Sequence, residues 1–73
     1  MRKAFSSLLQ DLRAQSGLTN EALAKRADVP ASLISGLQNN NRRVGEYQAR
    51  KIAAALNLSG RGLEHFVYEA VDT

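Results

Sequence analysis

The stretch "ADVPASLISGL" (Ala27–Leu37) decides the fold. Helical apolar spacing reaches Ala27 from the N-terminal side and resumes with Leu33, Ile34 and Leu37. Between them, Asp28, Val29 and Pro30 cannot easily continue a helix. Aspartate is a poor interior residue, and the residue before a proline is driven towards extended backbone. A break of about three residues followed by an immediate restart describes two short helices joined at a steep angle. The second of them carries only small residues away from its apolar side: Ala31, Ser32, Ser35 and Gly36.

Working outward, the helix before the break spans 20–27. Thr19 stands at its N-cap, Glu21 in its first turn, and Leu23, Ala24 and Ala27 on its apolar side. Leu18 precedes the cap as a hydrophobic staple. Further back, Phe5, Leu8, Leu9 and Leu12 follow i, i+3, i+4, i+7 spacing, a stripe of a first helix over 3–16, and Gly17 ends it. After the break, Pro30 suits the first turn of the third helix, which ends near Asn39–Asn40 with asparagine available for a left-handed close. The following "NNNRRVG" (39–45) reads as a polar loop. A fourth helix runs from Tyr47 to Leu56 with Ala49, Ile52, Ala53 and Leu56 inward, and Asn57 terminates it. Ser59 offers an N-cap for a fifth helix whose stripe is Leu63, Phe66, Val67, Ala70 and Val71. There is no strand pattern, internal repeat or low-complexity linker. The expectation is an all-α bundle of five short helices forming a single domain over residues 1–73.

Composition narrows the function. A chain of 73 residues buries only about 60% of its unfolded surface, so its stability is marginal without compact packing or association. It has no cysteine, hence no disulfide and no thiolate metal site. No segment approaches the roughly 20 apolar residues of a membrane span, and polar residues interrupt the start where a signal peptide needs a run. A cytoplasmic protein is expected. The formal net charge is +3 and is unevenly placed: residues 25–51 carry Lys25, Arg26, Arg42, Arg43, Arg50 and Lys51 against Asp28 and Glu46, whereas 52–73 carry Arg61 against Glu64, Glu69 and Asp72. A basic middle beside an acidic tail suits a polyanionic partner at the middle. No nucleophile has a base at a recognisable spacing, no ligand set for a metal is present, and Gly60-Arg61-Gly62 is too short for a phosphate loop. Neither an enzyme nor a cofactor is expected.

The two helices around the break form a helix-turn-helix, in which the second helix protrudes so that one long side enters a DNA major groove. The stretches "SGLTNEALAKRADVPASLISGLQNNNR" (16–42) and "KIAAALNLS" (51–59) resemble the lambda-repressor-like helix-turn-helix domains, the XRE- or Cro-type repressors. Leu18, Thr19, Leu23, Ala24, Ala27, Val29, Ile34, Leu37, Ile52, Ala53, Leu56 and Leu58 fall in that register. The resemblance implies a sequence-specific DNA-binding regulator, a small repressor or controller, bound as a homodimer to a palindromic operator on double-stranded DNA. Carried over, Asn20 stands where a phosphate-binding glutamine usually opens the second helix. Ala31, Ser32, Ser35 and Gly36 take the outward positions of the recognition helix, with Pro30 at its start. Asn39 stands where a phosphate is usually held, and Asn41, Arg42 and Arg43 follow in the loop. Leu63, Phe66, Val67, Ala70 and Val71 either close the core or form a dimer seam.

Three departures stand out. Asp28 replaces the usual turn glycine, Asn40 replaces a glycine after the third helix, and Gln38 stands where a glutamate often faces an arginine of the first helix, here Arg13. That pair becomes a charged–neutral hydrogen bond unless Arg13 finds another acceptor. The recognition helix also lacks Arg, Lys, Gln and Asn, the usual bidentate base readers. Its small side chains allow a close approach and contact with thymine methyl groups, leaving affinity to phosphates and choice partly to DNA shape. Two other functions fit the same fold: the antitoxin of a toxin–antitoxin pair, with its acidic, apolar tail on a toxin, or a protein-interaction module without DNA readout.

Overall fold

The computed structural model describes residues 3–39 and 43–71. Its helices are α1 (Lys3–Gln15), α2 (Asn20–Ala27), α3 (Ala31–Gln38), α4 (Glu46–Ala55) and α5 (Gly60–Val71), and no strand occurs among the described residues. The expected all-α, five-helix plan is the observed one. Pro30 is the N-cap of α3 rather than part of its first turn, with φ −64° and ψ 142°. Helix α4 begins one residue earlier than expected.

One device ends three of the five helices. A residue with positive φ follows the helix: Gly17 (φ 72°), Asp28 (φ 59°) and Asn57 (φ 64°). At each, two backbone bonds close the end. Gly17 and Leu18 N–H donate to Ala14 and Arg13 carbonyls, Asp28 and Val29 to Lys25 and Ala24, and Asn57 and Leu58 to Ala54 and Ala53. This is the Schellman arrangement, and the apolar residue just after the left-handed one packs inward. Leu18, Val29 and Leu58 all lie against the core. Asn39 differs from expectation: its φ is −88°, so α3 does not end in a left-handed turn at that residue. Asn40 lies outside the described residues.

The core collects Phe5 and Leu9 of α1, Leu23, Ala24 and Ala27 of α2, Leu33, Ile34 and Leu37 of α3, and Ala49, Ile52, Ala53 and Ala55 of α4, with Leu56 just beyond it. Phe66, Val67 and Ala70 of α5 complete it, and the Phe66 ring meets Phe5 edge-on at 5.1 Å. Two members were unexpected. Val44 is buried although its loop is polar, and Ala55 is buried beside the inward stripe of α4. Helix α4 packs on α5 and α2, α2 on α3, and α1 on α3 and α5.

The burial of α5 bears on the alternative left for its stripe. Phe66, Val67 and Ala70 are 0%, 5% and 1% exposed and lie inside the chain's own core, so this part of the stripe closes the core. Leu63 is half-buried against the same core. Of the five expected seam residues only Val71, 41% exposed, stands clear of it, with Tyr68 beside it at 58%. A short chain needs the long stripe of its last helix to seal its own interior.

Candidate nucleic-acid interface

Local chemistry builds the helix-turn-helix. Thr19 Oγ1 accepts the Ala22 N–H at 3.0 Å, starting α2 as expected. The left-handed Asp28 stops α2, and Pro30 starts α3 after the turn. Ala24 and Ala27, both buried, leave room for α2 to lie close to α3. Leu33, Ile34 and Leu37 then hold the inner side of α3 in the core.

The outer side of α3 is correspondingly bare. Ala31, Ser32 and Ser35 are exposed, with Pro30 exposed ahead of them and Asn39 exposed beyond the last turn. At 100° per residue, Ala31, Ser32, Ser35 and Asn39 share the face opposite the anchors. They span about 12 Å of helix axis at 1.5 Å per residue, close to the width of a major groove. Gly36 is half-buried at the flank of this face rather than at its centre. Asn20, opening α2, is also half-buried, and its Oδ1 is buried with no hydrogen-bond partner. Arg43 is exposed next to the buried Val44, which pins the loop to the core and leaves the guanidinium outside. Asn41 and Arg42, the other two loop residues of the expected set, lie outside the described residues.

The structure also sorts the basic middle. Arg50 is engaged by two carboxylates: Nε donates to Glu46 Oε2 at 2.9 Å and Nη1 to Glu64 Oε2 at 3.4 Å. Its hydrogen bond to Glu46, and next the charge of Glu64, raise the Arg50 pKa above its ordinary value. Lys51 Nζ donates to the Asp28 carbonyl at 3.0 Å and lies 3.7 Å from its carboxylate. Lys25, Arg26, Arg43 and Arg61 are exposed and make no ion pair among the described residues. The charge free to meet a polyanion is therefore smaller than the sequence count.

Arg13 resolves the alternative raised by Gln38. Its Nη1 donates to the Leu18 carbonyl at 2.7 Å, so it takes a backbone acceptor at the close of α1. Arg13 Nε and Gln38 Nε2 both remain buried without a partner. On another side, α1 and α5 border an open groove of about 420 Å³ lined by Ser7, Leu8, Asp11, His65 and Glu69. Its carboxylates and lack of lysine or arginine disfavour phosphate. Among the described residues no cluster of histidine and carboxylates suits a metal, and no helix is long and apolar enough to cross a membrane.

Two short helices at a tight turn, the second anchored on one side and open on the other, define a helix-turn-helix protein. A model of the helix-turn-helix family HTH_3 matches residues 9–63, most of the chain, and the protein belongs to this XRE, or lambda-repressor-like, family. The family is one of DNA-binding regulators. No curated protein and no solved structure matches the chain.

Proposed function

We propose that this chain is a single-domain, cytoplasmic repressor or controller that reads a palindromic operator as a homodimer, without a cofactor and without catalysis. The observation that carries the proposal is the two-sidedness of α3. Three large residues tie it to the core, while Ala31, Ser32, Ser35 and Asn39 leave its other side narrow and accessible. A slim helix seats deeply in a major groove, where the Ala31 methyl meets thymine methyl groups and the serine hydroxyls bond base edges directly or through water. Arg42, Arg43, Asn41 and Asn20 hold phosphates around the groove and contribute most of the affinity. Gly36, at the flank, lets the backbone approach without a side chain in the way.

The homodimer uses the outer flank of α5. Glu64, Tyr68 and Val71 recur at i, i+4 and i+7 on one side of that helix, and the last two are its exposed large apolar residues. Half-sites then lie about one DNA turn, near 34 Å, apart. Anisotropy titration of the DNA upstream of its own gene at two salt concentrations tests the reading. Tight binding that weakens steeply with salt, with a scrambled duplex bound far more weakly, is expected. Absent or salt-insensitive binding overturns it in favour of a protein-interaction module.

A further inference from the structure

Lys51 belongs to α4, outside the helix-turn-helix, yet its ammonium rests on the turn between α2 and α3. Nζ donates to the backbone carbonyl of Asp28 at 3.0 Å, lies 3.7 Å from Asp28 Oδ2, and stands 5.3 Å over the centre of the Tyr47 ring. Asp28 is the residue at which the chain leaves α2, with φ 59° and ψ 47°. A residue with a Cβ resists that conformation. The left-handed turn also takes the Asp28 carbonyl out of the helical ladder, so it needs a donor from elsewhere. Lys51 supplies one.

The carbonyl, rather than the carboxylate, is the significant partner. The Asp28 side chain is 97% exposed and the Lys51 side chain 28%, so the ion pair is largely screened by water. The bond from a charged donor to a backbone carbonyl is shorter, and it acts on the backbone whose angles set how α3 departs from α2. With one donor on the carbonyl, the carboxylate close by and an aromatic ring over the ammonium, Lys51 would have to leave all three to reach a phosphate.

We propose that Lys51 is a positioning residue for DNA binding. It fixes the Asp28 turn, and through it the angle at which α3 is presented, and it does not itself contact DNA. This rests on the DNA-binding reading above.

Lys51→Met keeps the aliphatic stem and removes the ammonium. Titrated against the upstream duplex and a scrambled duplex across several salt concentrations, it is expected to weaken the first by about fivefold and leave the second nearly unchanged. The slope of log affinity against log salt should stay at the wild-type value. A slope lower by about one, with both duplexes weakened alike, makes Lys51 a phosphate contact and overturns the proposal. So does unchanged affinity for the upstream duplex. Adding Asp28→Gly should recover part of the loss, because glycine adopts the turn unaided; strictly additive losses count against the mechanism. Amide exchange supplies a readout independent of DNA. The Val29 and Leu33 N–H groups, bonded to Ala24 and Pro30 carbonyls, should exchange faster in Lys51→Met while amides of α5 do not. If wild type binds no duplex, the DNA-binding reading fails, and the exchange result still decides whether Lys51 holds the turn.

Discussion

Replacing Asp28 by glycine should stabilise the protein, and the structure allows the size to be worked out. Asp28 has φ 59°, in the left-handed region, where a residue with a Cβ pays about 1–2 kcal/mol and aspartate falls at the low end. Glycine removes that strain but widens the unfolded ensemble, at a cost of about 0.4–1 kcal/mol. The Lys51 hydrogen bond survives, because its acceptor is the backbone carbonyl. The carboxylate contact at 3.7 Å is lost, a small item for so exposed a pair. The net gain is about 0.5 kcal/mol, or about 2–4 °C in Tm for a domain of this size. Thermal and urea melts followed by circular dichroism measure it. Asn57→Gly is the matched control: Asn57 has φ 64° and no ion pair, so its gain should equal or exceed that at position 28. Asp28→Ala should lower Tm, since alanine keeps the strain and loses the carboxylate. A lower Tm for Asp28→Gly together with a higher one for Asn57→Gly would refute the reasoning at the turn, showing that the carboxylate matters more than the backbone angle.

Arg42→Ala and Arg43→Ala should each weaken binding to all duplexes alike and lower the salt slope by about one, as measured by anisotropy; an unchanged slope removes the residue from the interface. Gln38→Glu replaces an amide whose Nε2 is buried without a partner, on the helix that packs on α1, and pairing of the new carboxylate with Arg13 should raise stability at pH 7 by about 1 kcal/mol in urea melts, an unchanged melt showing that the two do not meet. A carboxylate paired with arginine has a folded pKa below its unfolded one, so this gain should be present at neutral pH and vanish as the solution is acidified. Phe66→Ala should cost about 3–5 kcal/mol, enough to unfold so small a domain, because the ring is fully buried against Phe5. Val71→Glu should leave the monomer's melt nearly unchanged and shift sedimentation towards monomer, which separates the core side of α5 from its outer flank.

Much of this protein is written locally. Gly17, Asp28 and Asn57 mark the ends of three helices because few residues tolerate a left-handed turn, and Thr19 and Pro30 mark two starts because a cap or a missing N–H suits only a first turn. The periodicity of Leu33, Ile34 and Leu37 alone assigns Ala31, Ser32 and Ser35 to the outside of α3. These signals act over a few residues, so they survive without knowledge of the fold. Three matters depend on contacts between segments far apart in sequence. The α5 stripe closes the core or forms a seam according to what packs against Phe66, and that is Phe5, 61 positions away. Val44 lies in a loop of asparagine, arginine and glycine, yet it is buried as a member of the core cluster that the helices form. The basic residues of the middle look alike in the sequence, yet Arg50 is committed to Glu46 and Glu64 and Lys51 to Asp28, while Arg43 makes no ion pair among the described residues. A charge's availability depends on which opposite groups the packed helices bring within reach of it, and local sequence carries no record of those distances.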